Sequence, residues 1–187
     1  MTVLAISGSL RQDSYNTKLL RAAEELLPAV AELEVWDELK AVPPFDEDDE
    51  AGPVPAAVAS LRKAVAGADA IVFATPEYNG SIPGQLKNAI DWLSRPVATT
   101  VLRGKPVLVV GASTGAFGAV WSQAELRKVL ATAGARVVEA EVAVGHAPAK
   151  FDDAGALMDE ELVEQLGEAL VVLDAECAPV RPVALAV

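Results

Sequence analysis

Continuous apolar runs and helical spacings alternate along this chain. Thr2–Ser7 (TVLAIS) is almost wholly apolar and stops at Gly8, the pattern of a strand covered on both faces. Tyr15–Leu27 follows, with Leu19, Leu20, Ala23, Leu26 and Leu27 at helical spacing and Pro28 closing it. Glu32–Trp36 alternates polar and apolar positions like an edge strand. Ala41–Pro55 reads as a loop with Pro43-Pro44 and an acidic run, Asp46–Glu50. Val54–Ala66 predicts a helix with Gly67 as its C-cap. Ala70–Thr75 (AIVFAT) predicts a buried strand, Ile82–Ser94 a helix and Pro106–Val110 (PVLVV) another buried strand. Phe117–Ala133 predicts a long helix ending at Gly134, Arg136–Val144 a fifth strand and Asp159–Glu176 a closing helix.

Strands and helices that alternate in this way, with three of the strands apolar on both faces, predict an α/β sheet with helices on both sides. One domain is expected over residues 1–177. Ala178–Val187 carries two prolines and no period, and is expected to be a tail.

Composition narrows the function classes. A hydrophobic share of 52% in 187 residues supports a packed core and excludes a disordered chain. Lys and Arg number 15 against 27 Asp and Glu, so the net charge of −12 opposes nucleic-acid phosphates and anionic membrane surfaces. No apolar stretch approaches the roughly 18 residues of a membrane span, and no signal-peptide pattern stands at the start. A cytoplasmic protein with no nucleic-acid or membrane partner is expected. One cysteine, Cys177, and one histidine, His146, exclude a disulfide framework and a multi-histidine metal centre. The acidic run lacks a calcium-loop glycine spacing and reads as a solvated face, so no metal site is expected.

Three loops carry polar, glycine-rich chemistry. Gly8–Thr17 holds Ser9, Arg11, Ser14, Asn16 and Thr17 ahead of a helix N-terminus, a set that suits a phosphate dianion or ordinary N-capping by Ser14 or Asn16. It is neither a Walker A loop nor GxGxxG. Pro76–Gly84 contains the turn signal Asn79-Gly80, with backbone amides beside Tyr78 and Asn79 that suit the edge of a flat heterocycle or simply a turn before a helix. Gly111–Gly118 contains Gly111-x-Ser113-x-Gly115, the spacing of a nucleophile elbow. A hydrolase triad would need Ser113, His146 and Glu139 or Glu141, but both acids and the histidine crowd into one stretch and no HGGG-type oxyanion loop is present.

Topology separates these readings. In the flavodoxin-like order 2-1-3-4-5, strands 1, 3 and 4 are neighbours, and the three loops that follow them meet in one crevice at the carboxyl end of the sheet. In the order 3-2-1-4-5 they would not meet. A flavin mononucleotide, with one phosphate and one flat polar-edged ring, matches what the three loops offer together.

Gly8-Ser-Leu-Arg-x-x-Ser-x-Asn16, the long run Pro76–Arg95 (PEYNGSIPGQLKNAIDWLSR) and Gly111-Ala-Ser-x-Gly-x-x-Gly118 together resemble the NADPH-dependent FMN reductase family, which includes quinone, chromate and azo-dye reductases. The resemblance covers about residues 2–175. It implies a flavodoxin-like three-layer sandwich with a five-stranded parallel sheet in order 2-1-3-4-5. It also implies FMN as cofactor and NADPH or NADH as hydride donor to a small-molecule acceptor. By the same resemblance Ser9, Arg11, Ser14, Asn16 and Thr17 would hold the phosphate. Pro76, Glu77, Tyr78, Asn79 and Gly80 would hold the ring and ribityl chain, and Ser113 and Gly115 would close the far side. The cofactor would carry the chemistry, with no catalytic side chain. By the same resemblance, many relatives carry an arginine where Trp121 stands and some carry a tyrosine where Ala124 stands; in them those residues help join dimers into tetramers. A homodimer is therefore expected, with a tetramer as the alternative. A flavodoxin-like electron carrier and a serine hydrolase using Ser113 are the other functions considered.

Overall fold

Every strand of the sheet runs parallel to its neighbours, in the order β2-β1-β3-β4-β5. The computed structural model describes residues 1–177; the expected tail lies outside them. In chain order the elements are β1 (Thr2–Ser7), α1 (Tyr15–Leu26), β2 (Glu32–Trp36), α2 (Glu47–Glu50), α3 (Ala56–Gly67), β3 (Ala70–Thr75) and α4 (Gly84–Leu93). They continue with β4 (Pro106–Ala112), α5 (Val120–Thr132), β5 (Arg136–Val137), β6 (Ala143–Val144) and α6 (Glu160–Cys177). The order is the flavodoxin-like one expected from the sequence.

Side chains alternate across the central strands, and each face has its own core. Val3, Ala5, Val72, Leu108 and Val110 pack under α1 and α6 against Leu19, Leu20, Leu166 and Leu170. Leu4, Ile6, Ile71, Phe73, Val107 and Val109 pack on the other face under α3, α4 and α5, against Leu61, Leu86, Leu126 and Leu130. This is why β1, β3 and β4 read as unbroken apolar runs: both faces of a central parallel strand are covered.

The structure corrects the sequence reading at several boundaries. The fifth strand is not continuous over Arg136–Val144. It pairs with β4 only at Arg136–Val137 and Ala143–Val144, and the exposed Glu139 and Glu141 flank a break. Across that break Arg127 Nη2 donates to Ala140 O at 2.8 Å and to Val109 O at 3.2 Å, replacing ladder bonds with a side chain from α5. The long fifth helix begins at Val120 rather than Phe117, because Gly118 (φ +58°) and Ala119 (φ +63°) are both left-handed. Only glycine fits at position 118, where a Cβ would lie 2.4 Å from the Ala143 carbonyl carbon. Gly67 closes α3 from inside, and Ala68 is the C-cap. The helix expected from Ile82 starts at Gly84, after Pro83. The loop 41–55 contains the short α2, whose cap Asp46 accepts from Asp48 N at 2.8 Å. Among the described residues no helix is long and apolar enough to cross a membrane.

Candidate functional site

Parallel strands deliver their following loops to the same edge of the sheet, and β1, β3 and β4 are adjacent. Their loops meet. Ser9, Arg11, Ser14, Tyr15 and Asn16 from the first, Pro76, Glu77 and Tyr78 from the second, and Ala112, Ser113 and Thr114 from the third line one crevice of about 130 Å³. Of the residues expected at a site, Thr17 lines a neighbouring groove instead, while Asn79, Gly80 and Gly115 lie exposed outside this crevice.

The first loop is built to receive an anion. Ser14 caps α1, its Oγ accepting from Asn16 N at 3.2 Å. The Tyr15 and Thr17 amides, in the first turn, have no acceptor among the described residues. Unsatisfied amides at a positive helix end attract negative charge. The Arg11 guanidinium is exposed and pairs with no carboxylate within 4.0 Å among the described residues. Asp13, the nearest acid in sequence, is held by Lys18 at 2.8 Å; that hydrogen bond and charge keep its carboxyl below the usual carboxylate range.

Asn16 has a second task. Its side chain is buried; Nδ2 donates to Ala112 O and Oδ1 accepts from Ala112 N, both at 2.9 Å. The β3–β4 ladder ends with Thr75 opposite Gly111, so Ala112 has no strand neighbour on that side. Asn16 supplies the missing rung and ties the first loop to the third.

The second loop is a tight hairpin. Tyr78 and Ser81 exchange both backbone bonds, at 3.2 and 3.1 Å, around Asn79 (φ +55°) and Gly80 (φ +74°). Two successive left-handed residues are the signature of a type I′ turn, which explains the Asn-Gly pair. The loop is clamped to α5 from both sides. Glu77 Oε2 accepts from Trp121 N at 3.1 Å and Ser122 N at 3.2 Å, capping a helix whose own N-cap, Ala119, has no side-chain acceptor. In return Glu125 Oε2 accepts from Ser81 Oγ at 2.5 Å and Ile82 N at 3.4 Å. Neither capping role was visible in the sequence, because each carboxylate is more than forty residues from its donors.

In the third loop Ser113 Oγ accepts from Gly115 N at 3.1 Å. The His146 backbone lies close, donating to Gly115 O at 2.8 Å, but among the described residues no hydrogen bond joins its ring to Ser113. The next helix starts only at Val120, whereas a nucleophile elbow passes directly from strand to helix. Beside Glu77, Phe117 and Trp121 pack edge-to-face at 5.1 Å, and with Tyr78 they leave three aromatic rings exposed.

Residues 1–149 match the family described as NADPH-dependent FMN reductase. The chain is 42% identical over 172 residues to an NAD(P)H-dependent FMN reductase of Pseudomonas aeruginosa, a match that spans 90% of this chain and 92% of that protein. It is 39% identical over 160 residues to a quinone reductase of Pseudomonas putida, spanning 85% and 86% respectively. In structure it is similar to a flavoenzyme NAD(P)H:(acceptor) oxidoreductase from Paracoccus denitrificans, with a TM-score of 0.81 at 31% identity over 94% of this chain and 96% of that one.

Proposed function

The chain belongs to the NADPH-dependent FMN reductase family, and from that premise we propose an FMN-dependent NAD(P)H oxidoreductase that reduces quinones and related flat acceptors. The observation that carries this reading is the convergence of three loops on one crevice at the carboxyl ends of β1, β3 and β4.

The residues fit the cofactor. Two amides and a guanidinium without partners among the described residues, with the Ser9 and Ser14 hydroxyls, form a donor set for a phosphate dianion. In this assignment Ser9, Arg11 and Ser14 hold the phosphate, with Thr17 contributing its amide and Asn16 positioning the loop. The crevice is smaller than the roughly 300–1,000 Å³ typical of pockets that enclose a whole ligand. It therefore takes the phosphate and ribityl end. Pro76, Glu77, Tyr78, Asn79 and Gly80 on one side and Ser113 and Gly115 on the other border the ring. Open space lies over Gly80, where an added Cβ would meet nothing within 4 Å.

When bound, FMN supplies the redox chemistry, taking up a hydride from NAD(P)H and passing electrons to the acceptor. The protein's part is to bind and orient. Glu77 and Glu125 fix the second loop on α5, so that its backbone amides keep one geometry. Tyr78, Phe117 and Trp121 offer exposed aromatic surface to a flat acceptor. The same reading makes the protein a homodimer, as the family resemblance implies, and we propose a cytoplasmic location for it.

Donor and acceptor would use one ring face in turn, so the reaction is ping-pong. Initial rates measured across a grid of NADPH and benzoquinone concentrations are expected to give parallel double-reciprocal lines. Intersecting lines would overturn the shared-face order.

A further inference from the structure

The chain has three Trp, two Tyr and four Phe, and of these only Tyr78, Phe117 and Trp121 are exposed, at 48%, 63% and 53%. All three stand where the second and third loops meet α5. Tyr78 lines the crevice, Phe117 belongs to the third loop, and Trp121 is the second residue of α5. Their backbones are fixed. Trp121 N donates to Glu77 at 3.1 Å, and Phe117 O accepts from Val120 N at 3.3 Å. The next carbonyl, Gly118 O, accepts from the buried Gln123 side chain at 2.9 Å. Apolar residues exposed singly need no explanation, but a group of rings held in place beside a cofactor crevice points to a ligand. The charge around them has one sign. Glu77 and Glu125 clamp the second loop to α5, and among the described residues neither has a cationic group within 4.0 Å. The positive end of α5 offsets part of the Glu77 charge, whereas Glu125, a turn further on and exposed, receives only Ser81 Oγ and Ile82 N. The cation that lines the crevice, Arg11, is the one assigned to the FMN phosphate.

We propose that Phe117, Trp121 and Tyr78 seat the electron acceptor and, with the Glu125 carboxylate, select flat bicyclic aromatic compounds that are neutral or cationic over oxyanions and sulfonated rings. This rests on the reading that FMN occupies the crevice with its ring between the second and third loops. Phe117 and Trp121, packed edge-to-face at 5.1 Å, present two differently oriented ring surfaces, and Tyr78 adds a third on the facing loop. Two fused rings cover more of that surface than one ring does. A positively charged ring gains further from the negative faces of the aromatic side chains and from Glu125. A sulfonate meets like charge, and an inorganic oxyanion has no flat face to lay on the rings. These residues choose the acceptor and take no part in the electron transfer, whose balance is unchanged: quinone, NADPH and one proton give hydroquinone and NADP⁺.

The test titrates redox-inert rings into the FMN-loaded protein by calorimetry. N-methylquinolinium is the cationic bicycle, isoquinoline the neutral one and naphthalene-2-sulfonate the anionic one, with pyridine as the single ring. The variants are Trp121→Ala, Trp121→Phe and Glu125→Gln. The Trp121 ring is exposed and its backbone bond to Glu77 survives substitution, while Gln keeps an oxygen that accepts from Ser81 and Ile82. A thermal melt and an FMN titration check each variant. At low salt the wild type is expected to bind isoquinoline about three- to tenfold more tightly than pyridine, and N-methylquinolinium at least as tightly as isoquinoline. Naphthalene-2-sulfonate is expected to bind about three- to tenfold more weakly than isoquinoline. Trp121→Ala should remove most of the preference for two rings, and Trp121→Phe should restore part of it. Glu125→Gln should bring the sulfonate to within about twofold of isoquinoline, as should about 0.5 M salt with the wild type. With NADPH as donor, KM for 1,4-naphthoquinone should lie below that for its 2-sulfonate, and should rise in Trp121→Ala. Equal affinities across the charge series, or a Trp121→Ala variant that binds the bicycles as the wild type does, would overturn the proposal. So would a Trp121→Ala variant that falls to a smaller oligomer by light scattering while keeping its affinity for the bicycles, which would make the patch a contact between copies. Failure of the FMN reading looks different: the wild type would then retain no flavin and oxidise no NADPH.

Discussion

Asn16→Ala is expected to destabilise the protein by about 2–4 kcal/mol, because it strands two buried backbone groups at once. Asn16 is 3% exposed and bonds both Ala112 N and Ala112 O at 2.9 Å. No strand residue can replace it, since the β3–β4 ladder stops one residue earlier at Gly111. Removing the amide leaves a donor and an acceptor without partners in a region too closed for free hydration, and each such group costs about 1–3 kcal/mol. Asn16→Asp is expected to be no better. The carboxylate can still accept from Ala112 N, but it has lost the donor and faces the Ala112 carbonyl. Urea denaturation of the flavin-free protein measures the effect, and FMN titration at low temperature reads the second consequence. With the first and third loops untied, affinity should fall as well. A variant as stable as the wild type would show that the Asn16–Ala112 pair contributes little.

Arg11→Ala should separate binding from stability. The side chain is exposed and has no carboxylate partner among the described residues, so folding loses little when it goes. A charge-assisted bond to a phosphate is worth about 1.5–3 kcal/mol, so FMN should bind roughly ten- to a hundred-fold more weakly. Arg11→Lys should recover part of the loss, since the charge remains while the two-pronged geometry is gone. Flavin fluorescence quenching on titration into flavin-free protein reads the affinity. Unchanged affinity in Arg11→Ala would remove Arg11 from the phosphate site and, with it, the anion-cradle reading of the first loop.

Much of the fold was legible because both faces of a central parallel strand must be apolar. TVLAIS, AIVFAT and PVLVV announce their positions without reference to the rest of the chain. The fifth strand was not legible in the same way. Arg136–Val144 has a plausible strand composition, but Arg127, on the preceding helix, takes the Ala140 carbonyl and the ladder breaks there. The start of α5 departs from the sequence pattern for a related reason. Phe117 extends the apolar spacing, yet Gly118, which approaches Ala143 too closely for a Cβ, and Ala119 both take a left-handed backbone that no helix continues through.

The crevice itself was legible as three loops brought together by strand order. What the individual side chains do there was less so. Asn16 and Glu77 look like ligand-facing polar residues in sequence, but their strongest contacts are with Ala112 and with the N-terminus of α5. Both are tertiary hydrogen bonds across more than forty residues, and local pattern carries no trace of them.

The three-loop crevice is expected to bind FMN, and the protein to reduce it with a pyridine nucleotide. The most direct measurement is a visible absorption spectrum of protein purified without added cofactor and reconstituted with FMN where none is retained. Excess flavin is removed, any flavin released on denaturation is identified by mass, and NADPH is then added anaerobically. The expected result is a yellow protein that yields FMN and bleaches rapidly with NADPH. A protein that stays colourless after FMN is offered would contradict the crevice assignment, and a yellow protein that NADPH leaves oxidised would be an electron carrier rather than a reductase.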